Sequence, residues 1–287
     1  MRAAVVNWEV RETDSLDQYF AHCEALLKEC EGAELIVLPE LTSLELLGSA
    51  PGLDERQVGC YLADLLAPRV FEFGQLSRHF KCTLVAGSHF RRTDLGVINS
   101  ALVATPDGSV YFDVPKVVLT QFESVDWGIA AGGSLKKLPD PRIGVTICYD
   151  SEFPESGRVL AENGVLAQCV PAFTETRHGF QRVRWSCQAR ALENQIFVLH
   201  ASLVGSLRRE PVGSTYGSSA ILAPSVMPFP DSAVLAETGL GVESVAIAEL
   251  CWDDLETART SNDVRNWADR NQNWNLSEAT LFQSSKP

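Results

Sequence analysis

The feature that most constrains this chain is a series of short, uninterrupted apolar runs with helical stretches between them. "LIVLPE" (35–40), "CTLVAGSHF" (82–90), "RIGVTIC" (142–148), "VLAQCV" (165–170) and "IFVLHASLVG" (196–205) are each too short for an ordinary buried helix and suit strands covered on both faces. Between them the period changes. Tyr19, Phe20, Cys23, Leu26, Leu27 and Cys30 recur at helical spacing, with Ser15 and Gln18 as a capping box and Gly32 as the stop. Pro68 separates two more helical patterns, one around Val58 and Leu62, the next around Phe73 and Leu76. A fourth follows "GFQRVRWSCQARALENQ", with Phe180, Val183, Cys187 and Ala191 in line, and Pro154 suits the first turn of a short helix over "FPESGRVLAENG". "INSALVATPDGSVYFDVPK" has two strand-like arms around a Pro-Asp-Gly turn and reads as an antiparallel hairpin. Strands alternating with helices, plus a hairpin, predict an α/β layered fold with mixed sheets.

No internal repeat or low-complexity linker divides the chain, so one domain is expected over residues 1–270, followed by a polar tail at 271–287. That end of the chain carries Trp267, Trp274 and Phe282 at intervals. It is too polar to build a core of its own, and is expected either to fray or to anchor its aromatic residues on another surface.

With 287 residues, 45% of them hydrophobic, there is ample material for a large core. The formal net charge of −13 disfavours nucleic acid and anionic membranes as partners, and no basic patch offsets it. No apolar run is long enough for a transmembrane helix, and "MRAAVVNWEV" reads as a first strand rather than a signal peptide. The eight cysteines form no C-x-x-C pair and read as free thiols of a reducing, cytoplasmic compartment. The five histidines are scattered, so no metal site is expected.

Three of the apolar runs stop on a reactive group. "LIVLPE" ends on Glu40, "YFDVPK" on Lys116 and "GVTIC" on Cys148. Strand ends are where α/β sheets gather reacting groups. Brought together, the three would make a nucleophilic site, with Glu40 taking the thiol proton and Lys116 favouring the thiolate. Each also has an ordinary reading: a solvated turn for Glu40, a surface lysine on a hairpin, a small core residue at Cys148. Spacing alone does not choose between them.

The segments "LPE" around Glu40, "PKVVLTQFE" around Lys116, "CYDSEFPE" from Cys148 and "CQARALENQIFVL" at 187–199 occur in this order over some 160 residues. In order and spacing they resemble the nitrilase, or carbon–nitrogen hydrolase, superfamily. The resemblance runs from "AAVVNWEV" to about "VRNWADR". It implies a four-layer α-β-β-α sandwich with two mixed β-sheets, assembled as a homodimer or larger homo-oligomer through helices beside the active site. The tail would then wrap a neighbouring subunit. It also implies a cofactor-free Glu–Lys–Cys triad: Glu40 as general base and acid, Lys116 as transition-state stabiliser, Cys148 as nucleophile, with the Tyr149 N–H completing the oxyanion site. Glu123, seven residues after Lys116, matches a second glutamate of the family. Arg177 and His178 lie where relatives place substrate contacts, and Arg190 and Glu193 are expected to support the fold as an ion pair. "CYD" resembles the amidase and carbamoylase branches, which implies a small amide or N-carbamoyl substrate. Pro115 departs from the usual residue before the lysine.

Other functions fit parts of this pattern. A Cys–His acyl hydrolase would use His89 or His200 as base and would leave Glu40 and Lys116 without a role. The same scaffold could also serve as a non-catalytic binding or assembly protein, an acyltransferase or a nitrile hydrolase.

Overall fold

Alternate residues of the first strand, β1 (Arg2–Val10), enter two different cores. Ala3 and Val5 pack with Leu35, Val37, Val85 and Val103, while Ala4, Val6 and Trp8 pack with Tyr19, Phe20 and Cys23. A pleated strand sends successive side chains to opposite faces, so a sheet apolar on both must be covered on both. The computed structural model describes residues 1–272 apart from 51, 209, 211, 261 and 262, and shows how that is done.

The first core is helical. α1 (Leu16–Glu29), α2 (Glu55–Leu66) and α3 (Phe71–Phe80) cover one face of a sheet in which β2 (Leu35–Val37) and β3 (Thr83–Thr93) run parallel to β1. β4 (Gly96–Ala104) and β5 (Val110–Pro115) extend it as an antiparallel meander. The second sheet joins β6 (Ile143–Val145), β7 (Ala167–Ala172) and β8 (Phe197–Gly205) in parallel, then β9 (Ala220–Leu222) and β10 (Val234–Glu237) antiparallel. Its outer face is covered by α4 (Pro154–Glu162) and α5 (Arg177–Asn194), and β11 (Ser244–Glu249) returns to the outer edge of β1. The order is helices, sheet, sheet, helices: a single α/β domain with four layers. The far ends of β1 and β8 pair at Trp8–Val10 and Leu203–Gly205, which joins all 11 strands into one hydrogen-bonded network, with β6, β7 and β11 branching from a path that runs β10-β9-β8-β1-β2-β3-β4-β5.

Local signals set the element ends. Ser15 Oγ accepts from the Gln18 N–H at 3.2 Å, Pro154 opens α4, and Thr176 Oγ1 accepts from the Gly179 N–H at 3.1 Å to start α5. The strands before Glu40 and Cys148 stop sooner than their apolar runs suggest, β2 at Val37 and β6 at Val145. Beyond those points regular pairing gives way to single backbone bonds, from the Leu38 N–H to Val85 O and from the Thr146 N–H to Cys169 O.

Part of the carboxyl-terminal region is anchored on its own chain. α6 (Trp252–Thr260) buries Leu255 and Ala258, so part of the polar stretch is structured on its own chain. Trp267 is anchored there too: its N–H donates to Gln195 Oε1 at 3.0 Å, and the Arg270 guanidinium sits 3.6 Å from its ring centre. Trp274, Phe282 and the tail from residue 273 onward lie outside the described residues. Among the described residues no helix is long and apolar enough to cross a membrane.

Candidate active site

Four chain segments meet at one end of the sheets. Glu40 follows β2 and makes an isolated bridge with Ser88 of β3; the Leu38 N–H donates to Val85 O and the Leu41 N–H to Ser88 O, which lays the segment along that strand. The approach is so close that a Cβ on Gly87, at φ +76°, would fall 1.9 Å from Pro39 O, so only glycine fits there. Lys116 is the first residue after β5, and Glu123 lies in a short π-helical turn at Phe122–Asp126. Cys148 opens a 3₁₀ turn, Cys148–Glu152, with a left-handed backbone (φ 47°). A non-glycine residue in that region is strained by about 1–3 kcal/mol, a cost usually met at functional sites.

The side chains converge in a largely buried cluster. Lys116 Nζ stands 2.8 Å from Glu40 Oε1 and 2.8 Å from Glu123 Oε2. The other Glu40 oxygen accepts from the Phe173 N–H at 2.9 Å. The Cys148 thiol donates to Phe173 O at 3.5 Å and lies within hydrogen-bonding reach of the Glu40 carboxylate. All four side chains line a cavity of about 600 Å³. Tyr149 lines it too, and its N–H belongs to the first turn of the 3₁₀ segment, where the helix supplies no acceptor.

Burial and charge set the proton positions. Burial works against the Lys116 ammonium, but Glu123 and Glu40 outweigh it and hold the amine well above its ordinary value. For Glu123, burial is outweighed by Lys116 and by donors from Thr120 and Asn99, and its carboxyl falls below the usual range. Glu40 goes the other way: burial, opposed by Lys116 and reinforced by Glu123, raises its carboxyl. Burial and then the Glu40 charge push the Cys148 thiol well up, against the pull of Lys116. The resting arrangement is a neutral thiol facing a carboxylate of raised basicity, beside a fixed ammonium.

Three supporting residues went unread in the sequence. Asn99 Nδ2 donates to Glu40 Oε1 at 2.8 Å and to Glu123 Oε1 at 3.0 Å, tying the two carboxylates together. Its only signal is a polar residue inside the apolar run of β4. Phe173 acts through its backbone, which leaves no sequence signature. Asp150 accepts from the N–H groups of Val117, Val118 and Ile147 at 3.2, 2.8 and 3.3 Å, and so ties the loop after Lys116 to the turn of Cys148.

Arg177 and His178 are exposed in the first turn of α5, outside the cavity lining; Glu175, Thr176, Gly179 and Arg182 line it from that segment instead. Arg190 and Glu193 form an ion pair at 2.9 Å. His89 is engaged by Ala86 O and Ser43 Oγ, and His200 by Arg184 and Ser202. Neither histidine lines the cavity, and burial pushes both below the ordinary imidazole value, His89 to about 4. Among the described residues no group of three or more His, Cys, Asp or Glu is placed to hold a metal ion.

A family model described as carbon-nitrogen hydrolase matches residues 2–260. The chain belongs to the carbon-nitrogen hydrolases. The chain is 29% identical over 279 residues to a probable hydrolase of Bacillus subtilis (strain 168), YhcX; the match covers 94% of this chain and 53% of that protein. The chain thus spans about half the length of that relative. It is 25% identical over 262 residues to a chloroplastic omega-amidase of Arabidopsis thaliana, covering 87% and 68% of the two chains. The crystal structure of Saccharomyces cerevisiae Nit3, a member of the nitrilase superfamily, superposes with a TM-score of 0.72 at 22% identity, over 92% of this chain and 94% of that one. That likeness concerns the fold.

Proposed function

We propose that this carbon-nitrogen hydrolase cleaves a non-peptide amide or N-carbamoyl bond of a small molecule through a thioester on Cys148. The observation that carries this reading is the ammonium of Lys116, held at 2.8 Å by each of two buried carboxylates in the cavity that also presents the thiol. Glu40 takes the Cys148 proton as sulfur attacks the carbonyl carbon, and Lys116 with the Tyr149 N–H receives the oxyanion. The tetrahedral intermediate collapses as Glu40 gives its proton to the departing nitrogen. A water molecule, deprotonated by Glu40, then attacks the thioester; the acid leaves and the thiol is restored. The thiol proton leaves with the departing nitrogen by way of Glu40, so the cluster carries the same total charge at the start and at the thioester stage.

The test is ammonia release from a panel of aliphatic amides, N-carbamoyl amino acids and nitriles, with Cys148→Ala beside the wild type. Turnover of amides or carbamoyl compounds is expected, falling by about 10⁴-fold or more in the variant. Full activity in Cys148→Ala would sink the assignment.

The same reading includes a homodimer built on the outer helices. Trp185 of α5 is 64% exposed, and Val159 of α4 and Leu192 of α5 are also exposed large apolar side chains on that layer. Exposed apolar side chains on one layer support a docking surface there. Light scattering should give twice the chain mass, and Trp185→Glu should return it to one. All eight cysteines are unpaired, which supports the cytoplasm as the compartment.

A further inference from the structure

The cavity wall beyond the reacting groups is charged, and the charge is lopsided. Four carboxylates line it, those of Glu40, Glu123, Glu152 and Glu175, against the two cations Lys116 and Arg182. Lys116 is paired with Glu40 and Glu123, and the mechanism gives its remaining N–H to the reacting carbonyl rather than to the far end of a substrate. Arg182 reaches Glu152 at 3.3 Å from the solvent side, with its own side chain 59% exposed and that of Glu152 only 16% exposed. An exposed pair of this kind is weak and readily exchanged for another cation. Glu175 has no ion-pair partner among the described residues, and Glu55 and Glu210 lie close enough to press on its charge. Arg56, on the neighbouring surface, donates to Val125 O. The aromatic residues Phe122, Trp127, Tyr149 and Phe173 also line it, and the faces of such rings attract cations.

A substrate ending in a carboxylate would therefore face the excess of carboxylates, and would have to take Arg182 from Glu152, leaving that half-buried charge unpaired. One ending in an ammonium would meet a half-buried carboxylate four residues from the nucleophile. We infer that this cavity takes small amides whose far end carries a protonated amine, with Glu152 receiving the ammonium and Arg182 yielding its place. This rests on the amidase reading above, and it adds Glu152 to that reading as a specificity residue.

A readout independent of turnover separates the two ideas. Cys148 would be modified with methanethiosulfonates bearing an ammonium, a neutral methyl or a sulfonate group. Each rate is followed at that cysteine by peptide mass spectrometry and divided by the rate of the same reagent with free cysteine. The normalised ammonium rate should exceed the sulfonate rate by about tenfold or more, in line with steering by a charged cleft. Glu152→Gln and, separately, Glu175→Gln should each shrink that ratio several-fold. In parallel, 5-aminopentanamide should be hydrolysed with a higher kcat/KM than pentanamide, and pentanamide than glutaramate. Equal normalised rates, a faster sulfonate, or glutaramate as the best amide would overturn the charge inference while leaving the hydrolase reading in place. A clear ammonium preference at Cys148, with no amide in the wider panel turned over, would uphold the cavity's charge preference and overturn the amide substrate that the inference takes from the reading above.

Discussion

The side-chain nitrogen of Asn99 spends one hydrogen on each of two carboxylates, while Oδ1 of the same amide is buried with no hydrogen-bond partner among the described residues. The donor favours the charged form of Glu40, against burial and the nearby charge of Glu123. Asn99→Ala should therefore raise the Glu40 carboxyl further. The acid limb of kcat/KM moves to higher pH, kcat falls about tenfold, and KM stays near its original value. A residue that only filled space would leave the acid limb where it was. Glu40, Lys116 and Cys148 were legible because an ionisable or nucleophilic residue that ends an apolar run is a local pattern. Asn99 and Phe173 were not: one acts from the middle of a strand and the other through its backbone, and both roles depend on what the fold brings opposite them.

The elements that carried a period were read correctly: the helices from their apolar spacing, the β4–β5 hairpin from its Pro-Asp-Gly turn. Those that lack one were not, notably the π-helical turn holding Glu123 and the mostly polar α6. The segment carrying Glu40 is held by a polar clamp that the sequence also hides. His22 of α1 bonds Glu45, in the turn Thr42–Ser49, at 3.1 Å and Glu243, just before β11, at 2.9 Å; Trp8 of β1 donates to Glu45 at 2.8 Å, and Arg11 pairs with Glu243. Burial opposes the His22 imidazolium, but Glu243 and Glu45 outweigh it and raise its pKa. Its share of stability is thus in place below about pH 6.5 and is lost as pH rises through the folded-state value. For Glu243, burial is outweighed by His22 and Arg11, which lower its carboxyl to about 2. That share is in place above about pH 4.3 and is lost as pH falls through the folded value. The stability difference between wild type and Glu243→Gln, measured by urea unfolding across pH, should be about 1–3 kcal/mol and widest between about pH 4.3 and 6.5.

At the scale of the molecule, the sequence supplied the layers through its alternation of apolar runs and helical stretches, and family resemblance supplied their number. The three-residue pairing of β1 with β8 was not legible, because it depends on how the two sheets meet. That meeting also sets the chemistry: Glu40, Lys116 and Asn99 come from the first sheet, Cys148 and Phe173 from the second. Leu199 of β8 lies on the strand face opposite His200, in the core shared with Val37 and Val85 of the first sheet. Leu199→Ala should cost about 2–5 kcal/mol. Its activity should fade on warming before circular dichroism records any loss of strand or helix, while the wild type loses both together. The hydrogen bond from the Phe173 N–H to Glu40 crosses from one sheet to the other and works as a caliper. A slippage of under an ångström between two intact slabs would open it, silencing a protein that still counts as folded.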